Sequence, residues 1–222
     1  MTDPKISSAI TGALQAFTKY DDFEATALNA QFETVFSSDK TFLQKVDALD
    51  EIFNDNPKVE ALHEVFFDLL LVNFFSEDVK KLEDDYLETP EWEKIEEQTL
   101  DRGTELLNLL LYLNECDDEN IDPELEDYLK EFLLVDEDEF QDEYRIYEPV
   151  IANQILVESP AAEVAKVAGT LDDDSELKEL FYPMISFFQN TEPDEEDKEV
   201  IASNAVDASF DMAVLEILVR FK

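Results

Sequence analysis

Glu60 and His63 stand three residues apart, a spacing that sets a carboxylate and an imidazole on one helix face, as a carboxylate-bridged two-metal centre in a helical bundle requires. Such a centre needs a second pair of this kind and two further helix-borne glutamates, and the chain contains one histidine. The ligand set is therefore incomplete, and His63, close to Phe66 and Phe67, reads as a satisfied core or boundary side chain. Cys116 is the single cysteine, so no intrachain disulfide can form; it reads as a small apolar residue near a helix end, compatible with a reducing compartment. No Gly-x-Ser-x-Gly elbow and no glycine-rich phosphate loop occur. The run from Asp117 to Asp122 has carboxylates in the manner of a calcium loop, without its turn glycine or its terminal glutamate. The expectation is no catalytic residue, no resident metal and no cofactor.

One further pairing carries chemistry. Glu93-x-x-Glu96 followed by Glu124-x-x-Asp127 resembles the Glu-x-x-Glu and Glu-x-x-Asp pairs of the all-α magnesium-dependent nucleotide pyrophosphohydrolases. The resemblance implies four carboxylates on facing helices holding Mg²⁺ against substrate phosphates. In a chain one quarter acidic, such spacings recur throughout, and few Lys or Arg stand nearby to grip a nucleotide. Hydrolysis of nucleotides is therefore the alternative to a non-enzymatic reading, and a structural subunit of a larger complex is the other.

The stronger signal is charge. Fifty-seven Asp and Glu face sixteen Lys and Arg, for a formal net charge of −41 over 222 residues. The first 60 residues hold eleven acids and five bases, net −6, and residues 61–222 carry the remaining −35. A field of one sign repels nucleic acid and anionic membranes and attracts basic proteins. Solubility in a small domain is served by a net charge of magnitude about 2 to 8, and each further like charge adds self-repulsion. The excess points to a cationic partner that offsets it. Salt adaptation would tolerate the same charge, but thirteen Lys against three Arg and seventeen Phe argue against it.

The acids gather in runs interleaved with rings. The residues expected to meet the partner are Asp117, Asp118 and Glu119; Asp136, Glu137, Asp138, Glu139, Phe140, Asp142, Glu143, Tyr144 and Tyr147; Asp172, Asp173 and Asp174; and Glu195 and Glu196. Carboxylates pair the charged heads of Lys and Arg, and ring faces take their stems or cations. The expected function is shielding or escort of a strongly basic protein, of the ribosomal-protein, histone or basic-nuclease class, by a chaperone, assembly factor or inhibitor that occupies its nucleic-acid-binding surface. Neither direct nucleic-acid contact nor a membrane is expected, and the protein is expected to be a monomer in the cytoplasm, or in the nucleus of a eukaryote. The N-terminal residues lack the basic leader and apolar core of a signal peptide, so none is expected.

The elements that must carry these residues read as helices. Three glycines leave few hairpin turns, and Ile6, Ile10, Ala13, Leu14 and Phe17 recur at intervals of three and four, as do Phe42, Val46, Leu49, Ile52 and Phe53. Start and stop signals predict an all-α fold, an irregular multi-helix bundle or a short helical-repeat array of about ten helices. It is read as one domain over residues 1–222, with two lobes divided near 117–122 as a variant. The run LHEVFFDLLLVNFF predicts a central buried helix, Pro90 to Glu115 the longest helix, Asp138 to Tyr147 a helix kinked or interrupted at Pro149, and Asp207 to Phe221 a closing amphipathic helix.

Overall fold

The computed structural model describes residues 2–21, 25–76, 84–132, 134–136, 139–140 and 145–222, and the fold is an all-α bundle. α1 (Pro4–Tyr20) opens with Asp3, whose side chain accepts the Lys5 amide at 2.8 Å, and with Pro4, whose missing N–H costs nothing in a first turn. α2 (Thr26–Ser37) and α3 (Phe42–Asp55) follow, α3 starting in a capping box between Thr41 and Gln44. Lys45 of α3 buries its stem and donates to the Phe36 carbonyl at 2.9 Å, meeting one of the acceptors left open at the end of α2.

A 3₁₀ turn at Pro57–Leu62 leads into α4 (His63–Ser76), which is apolar nearly all round and buried against α3 and α7 (Leu106–Glu119). Phe32, Phe53 and Phe66 meet ring to ring between α2, α3 and α4, with centroids 4.7 to 5.7 Å apart. The most extensive pairing in the molecule is α1 against α13 (Ala208–Phe221). The sequence pattern gives α13 one polar face. Instead every residue from Phe210 to Leu218 is buried, because α1, α7, α11 (Phe181–Gln189) and α12 (Glu195–Asn204) surround it. One cluster of buried apolar side chains includes residues from Ile6 to Phe221, on both sides of 117–122.

Two further expected helices are corrected. The long sixth helix is two, α6 (Pro90–Thr99) and α7, separated by a loop that docks on α4. Gly103 there has φ +86°, and its amide donates to Glu64 at 2.6 Å; the Thr104 amide and hydroxyl donate to the buried Asp68 carboxylate, the hydroxyl at 2.6 Å. Two carboxylates of α4 thus capture amides that a continuous helix would have used. Among the described residues α1 is the longest helix, at 17 residues. A Gly103→Ala chain is expected to lose about 1–3 kcal/mol in urea unfolding, because the left-handed region disfavours a side chain and the new Cβ would lie 2.6 Å from Asp68 Oδ1. An unchanged midpoint would remove that account of the break.

After α5 (Asp84–Leu87) and α7, the chain makes a short α8 (Leu125–Asp127) that runs into a π turn at Tyr128–Phe132. The helix expected over 138–147 is absent from its described residues. Glu139–Phe140 pair antiparallel with Leu134–Asp136, Arg145 has φ +60°, and α9 (Glu148–Ala152) begins only afterwards. Pro149 therefore kinks nothing, since it sits in the first turn of α9, where its ring is preorganised and no donor is needed. Pro183 occupies the first turn of α11 in the same way. A 3₁₀ turn at Gln154–Glu158 and α10 (Ala161–Ala168) lead on towards α11. No described helix is long and apolar enough to cross a membrane.

A candidate acidic surface and the polar networks behind it

Between α10 and α11 the chain makes no long helix. Leu177 and Leu180 are buried and pin the segment to the core, while Asp172, Asp173, Asp174 and Glu176 stay exposed. The loop is shaped from within: the Ser175 amide donates to the Asp172 carbonyl at 3.1 Å, and the Lys178 ammonium donates to the Leu171 carbonyl and to Asp173 at 3.1 Å. On one side lies a cleft of about 570 Å³ whose walls include Ile146, Pro149 and Leu171 beside Asp172, Asp174 and Glu176. On the other, a second cleft of about 300 Å³ shares Asp174 and Glu176 and reaches Asp173, Glu179 and Phe210. Five carboxylates, at 172, 173, 174, 176 and 179, thus face two cations in these walls, Arg145 and Lys178. An acidic rim over apolar walls is suited to the two-part chemistry of Lys and Arg, whose stems pack on apolar surface and whose heads pair with carboxylates.

The other expected partner residues lie elsewhere. Asp117, Asp118 and Glu119 end α7, where Asn120 adopts φ +56° and caps the helix through its amide. Asp117 meets Lys5 at 2.9 Å and joins Asp122 and Glu192 around a cavity of about 390 Å³. Lys222 spans that cavity, 3.2 Å from Asp122 and 3.3 Å from Glu192, so this acidic group already holds an internal cation. Glu195 and Glu196 occupy the first turn of α12, after a capping box between Asp194 and Asp197, where acids complement the helix dipole. None of these clefts draws the three groups together.

Tyr147 is a correction. It is 3% exposed and belongs to the core: its hydroxyl donates to Glu105 at 2.7 Å and so accepts from Tyr128 at 2.8 Å. Burial first, then Tyr128 and Glu105, push the Tyr147 phenol far above its ordinary range, so it stays protonated. Glu137, Asp138, Asp142, Glu143 and Tyr144 lie outside the described residues, as do the side chains of Asp136, Glu139 and Phe140.

His63 is a boundary residue, half-buried and stacked on Phe53 with centroids 4.5 Å apart; Nε2 lies 2.7 Å from Asp50, and Nδ1 3.3 Å from Glu60. Arg102 completes this group. Its Nε reaches both Glu64 oxygens at 2.9 and 3.0 Å, its terminal amino groups reach both Asp50 oxygens, and its guanidinium lies 4.9 Å over the Phe67 ring. Burial opposes the Arg102 charge, and hydrogen bonds to Glu64 and Asp50 outweigh it and hold the group ionised. Sequence reasoning missed this network. Its signal was Asp68 inside the apolar run of α4: an acid there demands a partner, and the loop at 100–104 supplies one.

Cys116 is buried, and burial followed by nearby acids raises its thiol pKa, so it behaves as an apolar side chain. Glu93 and Glu96 are exposed on α6, and no described group of three or more His, Cys, Asp or Glu, the acids of 124–127 included, is arranged to hold a metal ion. The chain matches no protein-family model, no curated protein and no solved structure.

Proposed function

We propose that this protein binds a strongly basic protein partner through the 172–176 loop and its two flanking clefts, shielding or escorting that partner by occupying cationic residues meant for nucleic acid. The observation that carries the reading is local: five carboxylates against two cations around the walls of two clefts, next to the apolar surface of Ile146, Pro149 and Leu171. The lobe at Asp117 and Glu192 contributes less, since Lys5 and Lys222 already neutralise part of it. Shielding suits the magnitude of the charge, because a client that binds polyphosphate through many Lys and Arg meets here a protein of net charge −41.

The test uses core histones as a defined basic client and measures association by stopped flow at about 50 mM and about 200 mM salt. Asp172→Asn, Asp174→Asn and Glu176→Gln together are expected to slow association about tenfold at low salt. Glu195→Gln, Glu196→Gln and Glu199→Gln together remove the same charge from α12 and are expected to slow it far less. Equal effects of the two triple variants, or association indifferent to salt, would refute a localised face.

A further inference from the structure

Cations are scarce in this chain, yet three of the sixteen, Lys19, Lys198 and Arg220, line one depression of about 170 Å³ with Tyr20, Glu195 and Glu216. The arrangement depends on Gly12 of α1. A Cβ there would come within 2.2 Å of Arg220 Nε and 2.3 Å of its Cδ, so the guanidinium stem lies flat on bare helix backbone. Glu216, 8% exposed, is fully engaged: one oxygen meets Lys198 at 2.5 Å and the other meets Arg220 Nε at 2.8 Å. Lys198 also reaches Glu195 at 3.9 Å.

That pairing leaves donors over. Arg220 uses Nε alone, so both its terminal amino groups lack a partner among the described residues. Lys19 has no carboxylate partner among them; its ammonium lies 5.4 Å from the Tyr20 ring centroid, and the Tyr20 oxygen, then Glu195 and Glu199, raise its pKa. Tyr20, in the same lining, adds a phenol O–H that can donate. We propose that this depression binds a small tetrahedral oxyanion of the phosphate class, held by the Arg220 fork, the Lys19 ammonium and the Tyr20 hydroxyl.

The volume admits it: 170 Å³ corresponds to nearly six waters at about 30 Å³ each, room for a four-oxygen anion. Guanidinium presents paired donors to phosphate oxygens, and ammonium supplies a point charge beside them. Against binding stand Glu195 and the net charge of the chain. At about 0.15 M salt, charges beyond about 8 Å are screened; the lining holds three cations to two carboxylates, and Glu199 beside it acts on Lys19 as a third negative charge.

The experiment is calorimetric titration of the full chain with inorganic phosphate, against sodium chloride raised to the same ionic strength, with glycerol phosphate as a parallel arm. One saturable phosphate site per chain is expected. Arg220→Gln is expected to weaken it at least about tenfold and exposed Lys19→Gln about fivefold, as loss of a charge-assisted hydrogen bond implies, while Lys166→Gln changes nothing. Gly12→Ala displaces Arg220 without altering net charge and is expected to weaken binding too. Tighter binding of glycerol phosphate would identify a phosphomonoester as the ligand, and tighter binding of inorganic phosphate the free ion. A response to phosphate no different from chloride, or wild-type binding by Lys19→Gln and Arg220→Gln, would overturn the proposal.

Discussion

Arg102→Ala is expected to lower the free energy of unfolding by about 2–3 kcal/mol, measured by urea denaturation at neutral pH. Removing one partner of a buried ion pair costs about 3–5 kcal/mol, and exposed pairs are worth about 1 kcal/mol or less. Here the Arg102 side chain is 19% exposed, Asp50 32% and Glu64 37%, so the expected cost falls between those limits. The loss has an identifiable origin: Asp50 and Glu64 would remain close to His63 and Asp68 with no cation between them, and the loop carrying Gly103 would lose its link to α3. Arg102→Lys is expected to recover less than half of the loss. An ammonium cannot pair both oxygens of two carboxylates at once, nor lie as a plane over Phe67. A loss below about 0.5 kcal/mol in Arg102→Ala would show that the network is solvated and energetically neutral.

The second large effect concerns pH. Asp211, 3% exposed in the first turn of α13, has its pKa pushed up to about 7, chiefly by burial and further by Asp207 and Glu179, although the Asp207 and Val206 amides favour its charged form. Its unfolded value is near 3.8. The folded chain therefore keeps a proton that the unfolded chain has released, and ionisation in the fold opposes folding. Stability contributed by the protonated form is full below about pH 4 and is lost as pH rises through about 7. Asp68 acts in the same direction, its pKa raised well above the ordinary value by burial. A tenfold difference in proton affinity between the folded and unfolded chains is worth about 1.4 kcal/mol, so Asp211→Asn is expected to stabilise the protein by roughly 4 kcal/mol at pH 8 and by little at pH 4. The exchange keeps the structure: the Val206 and Asp207 amides donate to the same oxygen, at 2.8 and 3.0 Å, and the Asn carbonyl can take that place. Protonation of surface acids also relieves self-repulsion, so the readout is the difference between variant and wild type across pH 4 to 8. Parallel melting curves for the two chains across that range would rule Asp211 out as the source.

Much of the helical character was legible without coordinates because it is local. Pro4 after Asp3, Thr41 with Gln44 and the spacing of Ile6, Ile10 and Phe17 act within one or two turns, and each appears in the structure where its chemistry places it. The failures share a cause. The span from Pro90 to Glu115 has a helical pattern throughout, and its break at Gly103 depends on Glu64 and Asp68, more than thirty residues earlier. Tyr147 sits among acids in sequence and looked suited to a surface, yet Glu105 and Tyr128 draw it inward.

Composition alone determined an all-helical body with a dense apolar interior and far more negative charge than dispersion requires. Only the folded chain decided how that charge is distributed: which acids are neutralised by Lys5, Lys222 and Arg102, which stand open around 172–176, and that scarce cations converge over Gly12. Helix propensity is summed over neighbours along the chain, whereas electrostatic energy depends on distances through space, and those exist only once the helices have packed.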